Sequence, residues 1–186
     1  MKKSLLFALA LSVVLFSCGG KTEHAEEHEE HTMEHSSGHE SEATPTSTSR
    51  NMATTAMIDA YLAVKDALVA DNQAEAASKS EALVTAIQNF DGQAAEEHKA
   101  KALEEAKKLA SGDIAAQRES FQALSVAMKD LLKVAGTDRT LYHQYCPMYK
   151  NNTGGMWLSA KEEIKNPLFG SSMLTCGRVE EVIAMN

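Results

Sequence analysis

Residues 114–135 read IAAQRESFQALSVAMKDLLKVA, and this stretch decides the fold. Ile114, Phe121, Met128 and Ala135 recur every seven residues, with Leu124 and Leu131 between them. That spacing lays one apolar stripe along a helix of about six turns. Asp113 stands where an N-cap is wanted and Gly136 where a helix stops. Such a helix cannot hide its stripe alone, so it needs partners of similar length.

The partners lie upstream. A helix over Met52–Ala70 carries Ile58, Tyr61, Leu62, Lys65 and Leu68 or Val69 on one stripe, and Asp71-Asn72 breaks it. A second reaches Phe90 with Leu83, Val84 and Ile87 at helical spacing, and Asp91-Gly92 supplies the stop. A third, Ala94–Ala110, turns Leu103, Ala106 and Leu109 inward. Connections of a few residues force neighbours antiparallel. The prediction is a mainly α domain: an up-down four-helix bundle over 51–136, followed by a small loop-rich cap with short strands over 137–186. Met57 and Met128 fit the packed interior. His98, the only bundle histidine, sits among Glu97, Lys99, Glu105 and Lys108 and reads as a surface residue. A di-iron bundle needs inward Glu and Glu-x-x-His pairs, which are missing, so the bundle reads as scaffold.

Composition changes after Gly136. Pro147, Pro167, the single Trp and three of the four Tyr fall in the last fifty residues. Strands are predicted at Tyr142–Tyr149 and Arg178–Ile183, a helical turn at Ser159–Lys165, and turns at Gly154-Gly155 and Asn166-Pro167. The chemistry-bearing residues cluster here. His143-Gln144-Tyr145-Cys146-Pro147-Met148 is answered by Met173-Leu174-Thr175-Cys176, with Met156 between. Imidazole, thiolate and thioether are the donors soft metals prefer, copper(I) above all. His143, Cys146, Met148, Met156, Met173 and Cys176 are therefore candidate ligands. The same two cysteines can instead form a disulfide, with the methionines merely packing. A blue-copper site needs a second histidine, paired Cys-x2-Cys zinc knuckles are absent, and no Cys-x-x-Cys-His awaits a haem. No nucleophile-base constellation or phosphate loop is visible, so the chain reads as a binding protein rather than an enzyme. A thiol oxidoreductase ranks last for want of Cys-x-x-Cys.

The N-terminus places the protein. Met1-Lys2-Lys3 followed by the apolar run Leu5–Phe16 reads as a signal peptide, residues 1–17, too short to span a bilayer as a mature helix. Leu15-Phe16-Ser17-Cys18 resembles a bacterial lipobox, which implies lipidation of Cys18 and anchoring to the envelope membrane. An ordinary secretory signal is the alternative. Residues 18–50 then read as a disordered tether, with almost no large apolar residue. From Gly19 the tether holds eight Glu against Lys21 and Arg50, and five of the seven histidines. His24, His28, His31, His35 and His39 recur every three or four residues between glutamates, a pattern suited to weak capture of zinc, nickel or copper. The chain's net charge of −8 argues against nucleic acid as a partner.

Tyr145-Cys146-Pro147-Met148, Gly155-Met156-Trp157-Leu158, Ile164–Gly170 and Met173–Gly177 together resemble a domain of unknown function from Bacteroidota. It occurs in small envelope lipoproteins and fused to periplasmic adaptor subunits of heavy-metal (copper/silver) efflux systems. The resemblance spans Met52–Ile183 and is most specific in the cap. It implies an envelope domain linked to copper handling, with an efflux adaptor as partner, and supplies no ligand assignment.

Overall fold

The heptad stretch forms one uninterrupted helix, Ile114–Ala135, closed as its ends predict. The Asp113 carboxylate accepts from the Ala116 N–H at 2.9 Å, and Gly136 leaves the helix at φ 85°. This helix is α4 of a computed structural model that describes residues 45–92 and 95–185. Before it come α1 (Pro45–Val69), α2 (Gln73–Asn89) and α3 (Glu96–Lys108). After it come β1 (Leu141–Cys146), β2 (Gly155–Ser159) and β3 (Arg178–Ile183). The signal peptide, Cys18 and the five tether histidines lie outside the described residues. No described helix is long and apolar enough to cross a membrane.

Helix α1 begins at Pro45 rather than Met52, so the end of the expected linker belongs to the helix. Proline is suited to that position because the first helical N–H has no partner anyway. Asn72 caps α2 by accepting from the Glu75 N–H at 3.0 Å. The helices pack in chain order, α1 on α2, α2 on α3 and α3 on α4. Met57, Leu83, Ile87, Leu109, Phe121, Leu124, Met128 and Leu131 have no exposed surface, as their stripes predict. His98, expected at the surface, is half-buried on α3.

The bundle is open along one seam, since α1 and α4 meet only sparsely. The C-terminal sheet fills that seam. The expected C-terminal cap lies along the side of the bundle. Arg139 pairs with Asp59 at 2.6 Å, while Ser171 N–H donates to Asp71 at 3.1 Å. These anchors stand twelve residues apart on and just beyond α1, on the order of 18 Å along a helix axis. Between them the Tyr61 hydroxyl accepts from the Leu158 N–H at 3.0 Å and shares a hydrogen bond with Ser125 Oγ at 2.6 Å. The Tyr61 ring stacks on Phe121 with centroids 5.0 Å apart. One buried phenol thus joins α1, α4 and β2, and burial pushes its pKa up. Arg118 of α4 donates to Pro167 O and Leu68 O and pairs with Asp71, whose carboxyl is pulled down to about 2, chiefly by hydrogen bonds from Ser171.

The sheet is antiparallel in the order β2-β1-β3. Strand β2 is not predicted by the sequence; only its first residue, Gly155, falls in an expected turn. All five of its residues are buried, so it lacks the alternation that betrays a half-exposed strand. Strand β1 stops at Cys146 rather than Tyr149 because Pro147 has no N–H to give the ladder. The hairpin that follows carries Lys150, Asn151 and Asn152 at positive φ. Ser159–Lys165 is the end of β2 and a bend, not the helical turn expected there.

Candidate functional site

Strand geometry divides the predicted ligands. Side chains alternate faces along a strand, so His143 and Cys146, three residues apart on β1, point to opposite sides. Across the ladder His143 pairs with Leu158 and Tyr145 with Met156, whereas Gln144 pairs with Trp157 and Cys146 with Gly155. His143 and Met156 therefore share the face turned to the bundle. Cys146 shares the opposite face with Gln144 and Trp157, beneath the 160–177 loop. The structure does not bring His143 and Met156 to the thiols.

It does bring the thiols together. Cys146 Sγ and Cys176 Sγ are 2.7 Å apart, both as free cysteines. Cys146 has no exposed surface and Cys176 is half-buried. A backbone N–H of Met148 serves the Cys176 sulfur, and the Cys176 N–H donates to Met173 O at 3.0 Å. Both neighbouring methionines thus bracket Cys176 through their backbones. Met148 is 47% exposed and Met173 is half-exposed. Burial, then the hydrogen bond and charge of Cys146, hold the Cys176 thiol above its ordinary pKa; the Met148 N–H opposes them.

Three residues that the sequence did not mark as site residues fix this arrangement. Gln144, wholly buried, accepts from Trp157 Nε1 at 2.7 Å and donates to the carbonyls of Lys161, Glu162 and Glu163 at 2.9, 2.9 and 3.3 Å. Asn166, also buried, donates to Cys176 O at 2.8 Å and accepts from the Leu168 N–H at 2.8 Å. Asn166-Pro167 announced a turn, but nothing local announced that its amide would hold the distant Cys176 carbonyl. Gly177 sits at φ 150°, and a Cβ there would lie 3.0 Å from the Trp157 ring and 3.1 Å from Tyr145 O. Only glycine lets the chain cross Trp157 and deliver Cys176 to Cys146.

His143 has a different task. Its Nδ1 accepts from the Lys129 ammonium at 2.9 Å, and Lys129 pairs with Glu181 at 2.6 Å. Burial, then the Lys129 charge, holds the imidazole pKa below its ordinary value. The folded state thus binds this proton less tightly than the unfolded chain does, and acid favours unfolding. Stability is expected to fall as pH drops through the ordinary imidazole range near about 6.5. His143→Gln should flatten that slope in denaturation curves recorded between neutral and mildly acid pH. An unchanged slope would mean that His143 is not the group responsible.

Among the described residues no three His, Cys, Asp or Glu side chains converge as a metal cage. Two thiolates with a thioether do not need one, because a soft d10 ion accepts low coordination. The donor types at Cys146 and Cys176 fit copper(I) and fit structural zinc poorly, and the sulfurs, 2.7 Å apart, must part to admit an ion.

Residues 57–140 match a family model described as a protein of unknown function (DUF3347). The bundle is therefore similar to a domain of unknown function, and the thiol-bearing sheet begins directly after the matched segment. No curated protein and no solved structure matches the chain.

Proposed function

We propose that the chain is a lipid-anchored protein of the bacterial envelope that binds a soft transition metal, copper(I), and buffers it or passes it to an efflux system. It acts as a binding protein and performs no catalysis. One observation carries the reading: two free thiols, drawn from segments thirty residues apart, meet beneath a loop with a methionine beside each. The ligands are Cys146 and Cys176, with Met148 or Met173 as the thioether. His143 and Met156 play no part, because they face the bundle. The histidines from His24 to His39 collect zinc, nickel or copper weakly ahead of this site, and Cys18 carries the lipid.

Anaerobic titration of the reduced protein with copper(I), in competition with a chromophoric chelator, tests the proposal. One equivalent should bind tightly. Cys146→Ser and Cys176→Ser should each weaken binding by more than the roughly 10- to 100-fold typical of losing an outer-shell partner. Met156→Leu and His143→Gln should leave the affinity unchanged. Binding that survives both cysteine substitutions sinks the proposal.

A second reading is favoured by the contact between the sulfurs and the burial of Cys146. In an oxidising compartment the pair closes, and the chain serves as a stapled module that docks a partner protein. Thiol counting on protein from native envelopes separates the two. A fully oxidised pair favours the stapled module, and a reduced pair favours the metal site.

A further inference from the structure

A second feature stands away from the thiols, where α1 meets the end of β2. A cleft of about 190 Å³ opens between α1 and the bend after β2, lined in part by Lys65, Asp66, Ser159, Lys161, Glu163 and Lys165. Three ammonium groups face two carboxylates, so the lining carries an excess positive charge. Lys65 occupies the buried stripe of α1, where an apolar residue is ordinarily found, and its side chain is only 9% exposed. Its ammonium carries three N–H donors. Among the described residues its one acceptor is Asp66, at 2.8 Å. The Asp66 side chain is 71% exposed, so solvent screens that pair. A buried charge with incomplete compensation is costly. Lys165 reaches Glu163 only at 3.6 Å, and Lys161 has no ion-pair partner among the described residues. The bend holds its shape without the lysine side chains, since Ser159 Oγ donates to Lys161 O at 2.8 Å and accepts from Lys161 N–H at 3.0 Å.

We propose that this cleft is a binding site for a phosphate group, with Lys65 at its floor and Lys161 and Lys165 at its rim. Lysine acts on phosphate as a point charge. Three separated ammoniums suit an anion that presents several oxygens better than a planar carboxylate with two. The phosphate belongs to a free anion or to the headgroup of a phospholipid beside the anchored chain.

Calorimetric titration of the full chain tests this at constant ionic strength, set with sodium chloride. The probes are inorganic phosphate, dihexanoyl phosphatidylglycerol below its micelle concentration, and acetate. Saturable one-to-one binding of at least one phosphate probe is expected, tighter than acetate. Lys161→Ala, on an exposed side chain, should weaken it at least tenfold, as should Lys65→Met, which keeps the packing. Binding of the lipid alone assigns the headgroup as source, and binding of inorganic phosphate assigns a free anion. A response no different from chloride overturns the proposal, as does acetate binding as tightly, or affinity that is the same in Lys161→Ala. Because neither cysteine touches this cleft, a failed copper(I) titration leaves this result standing, and the reverse also holds.

Discussion

Trp157→Ala is expected to cost about 3 to 5 kcal/mol, the range for deleting a large aromatic side chain from a packed interior. Trp157 has no exposed surface. It lies between the Gln144 amide on its own face of the sheet and the backbone of Gly177, against which a Cβ would already be tight. Removing the ring opens a cavity at that crossing and also orphans Gln144 Oε1, a buried acceptor left without its donor. The same amide holds the carbonyls of residues 161–163 through its nitrogen, so the loss spreads into the loop that carries Cys176. Urea denaturation followed by the helical circular dichroism signal is the measurement, since the substitution removes the only tryptophan fluorophore. The midpoint should fall with little change in slope. Trp157→Phe should lose less, because it keeps most of the volume while still breaking the hydrogen bond. A loss below about 1 kcal/mol for Trp157→Ala would mean that the sheet is held to the bundle by other contacts, with Tyr61 the first to suspect.

The bundle was legible because its helices advertise themselves twice, by stripe and by cap. Phe121, Leu124, Met128 and Leu131 could point only one way once Asp113 and Gly136 marked the ends. The sheet was harder to read for three separate reasons. Strand β2 is buried along its whole length, so Gly155-Met156-Trp157-Leu158-Ser159 offers no period of two. The sheet seats where α1 and α4 meet through few residues, Tyr61 and Phe121 among them, a property of helix packing that no single segment encodes. Lys65 falls on the same stripe as Ile58, Tyr61 and Leu62, and only the bend after β2 makes it part of a cleft lining. The candidate site was half legible. Cys146 and Cys176 announced each other by type and by symmetry of their neighbours. That symmetry also misled for His143, which lies near Cys146 in sequence while the strand's alternation sends it, like Met156, to the opposite face. Gln144 and Asn166, which set the geometry, are ordinary polar residues in sequence and become notable only when burial leaves their amides nowhere else to bond.

Oxidising the thiol pair is expected to stabilise the domain by about 3 to 4 kcal/mol in the chain-entropy account, in which a loop of thirty residues is closed. With oxidised glutathione as the acceptor, two thiols become one disulfide and two molecules of reduced glutathione leave, so electrons and protons balance. The native arrangement needs little change to accept the bond, because Gly177, Asn166 and the Met148 N–H already hold Cys176 against Cys146. The gain therefore lies mostly in the unfolded chain, which loses freedom when residues 146 and 176 are tied. Urea denaturation of the oxidised and reduced protein should show two separate midpoints, and Cys176→Ser should show one, close to the reduced value and insensitive to glutathione. The rate of closure should rise with pH, since burial and Cys146 keep the Cys176 thiol protonated at neutral pH and only the thiolate attacks. On the proposed function, copper(I) held by both sulfurs would slow this oxidation, and a closed disulfide would abolish the thiolate site. If instead the wild-type midpoint is the same in both redox conditions while the thiol count shows a bond, strain in the closed pair or residual structure in the unfolded chain offsets the loop-closure term. The entropic gain would then vanish, and the closed pair would add nothing to the stability of the fold.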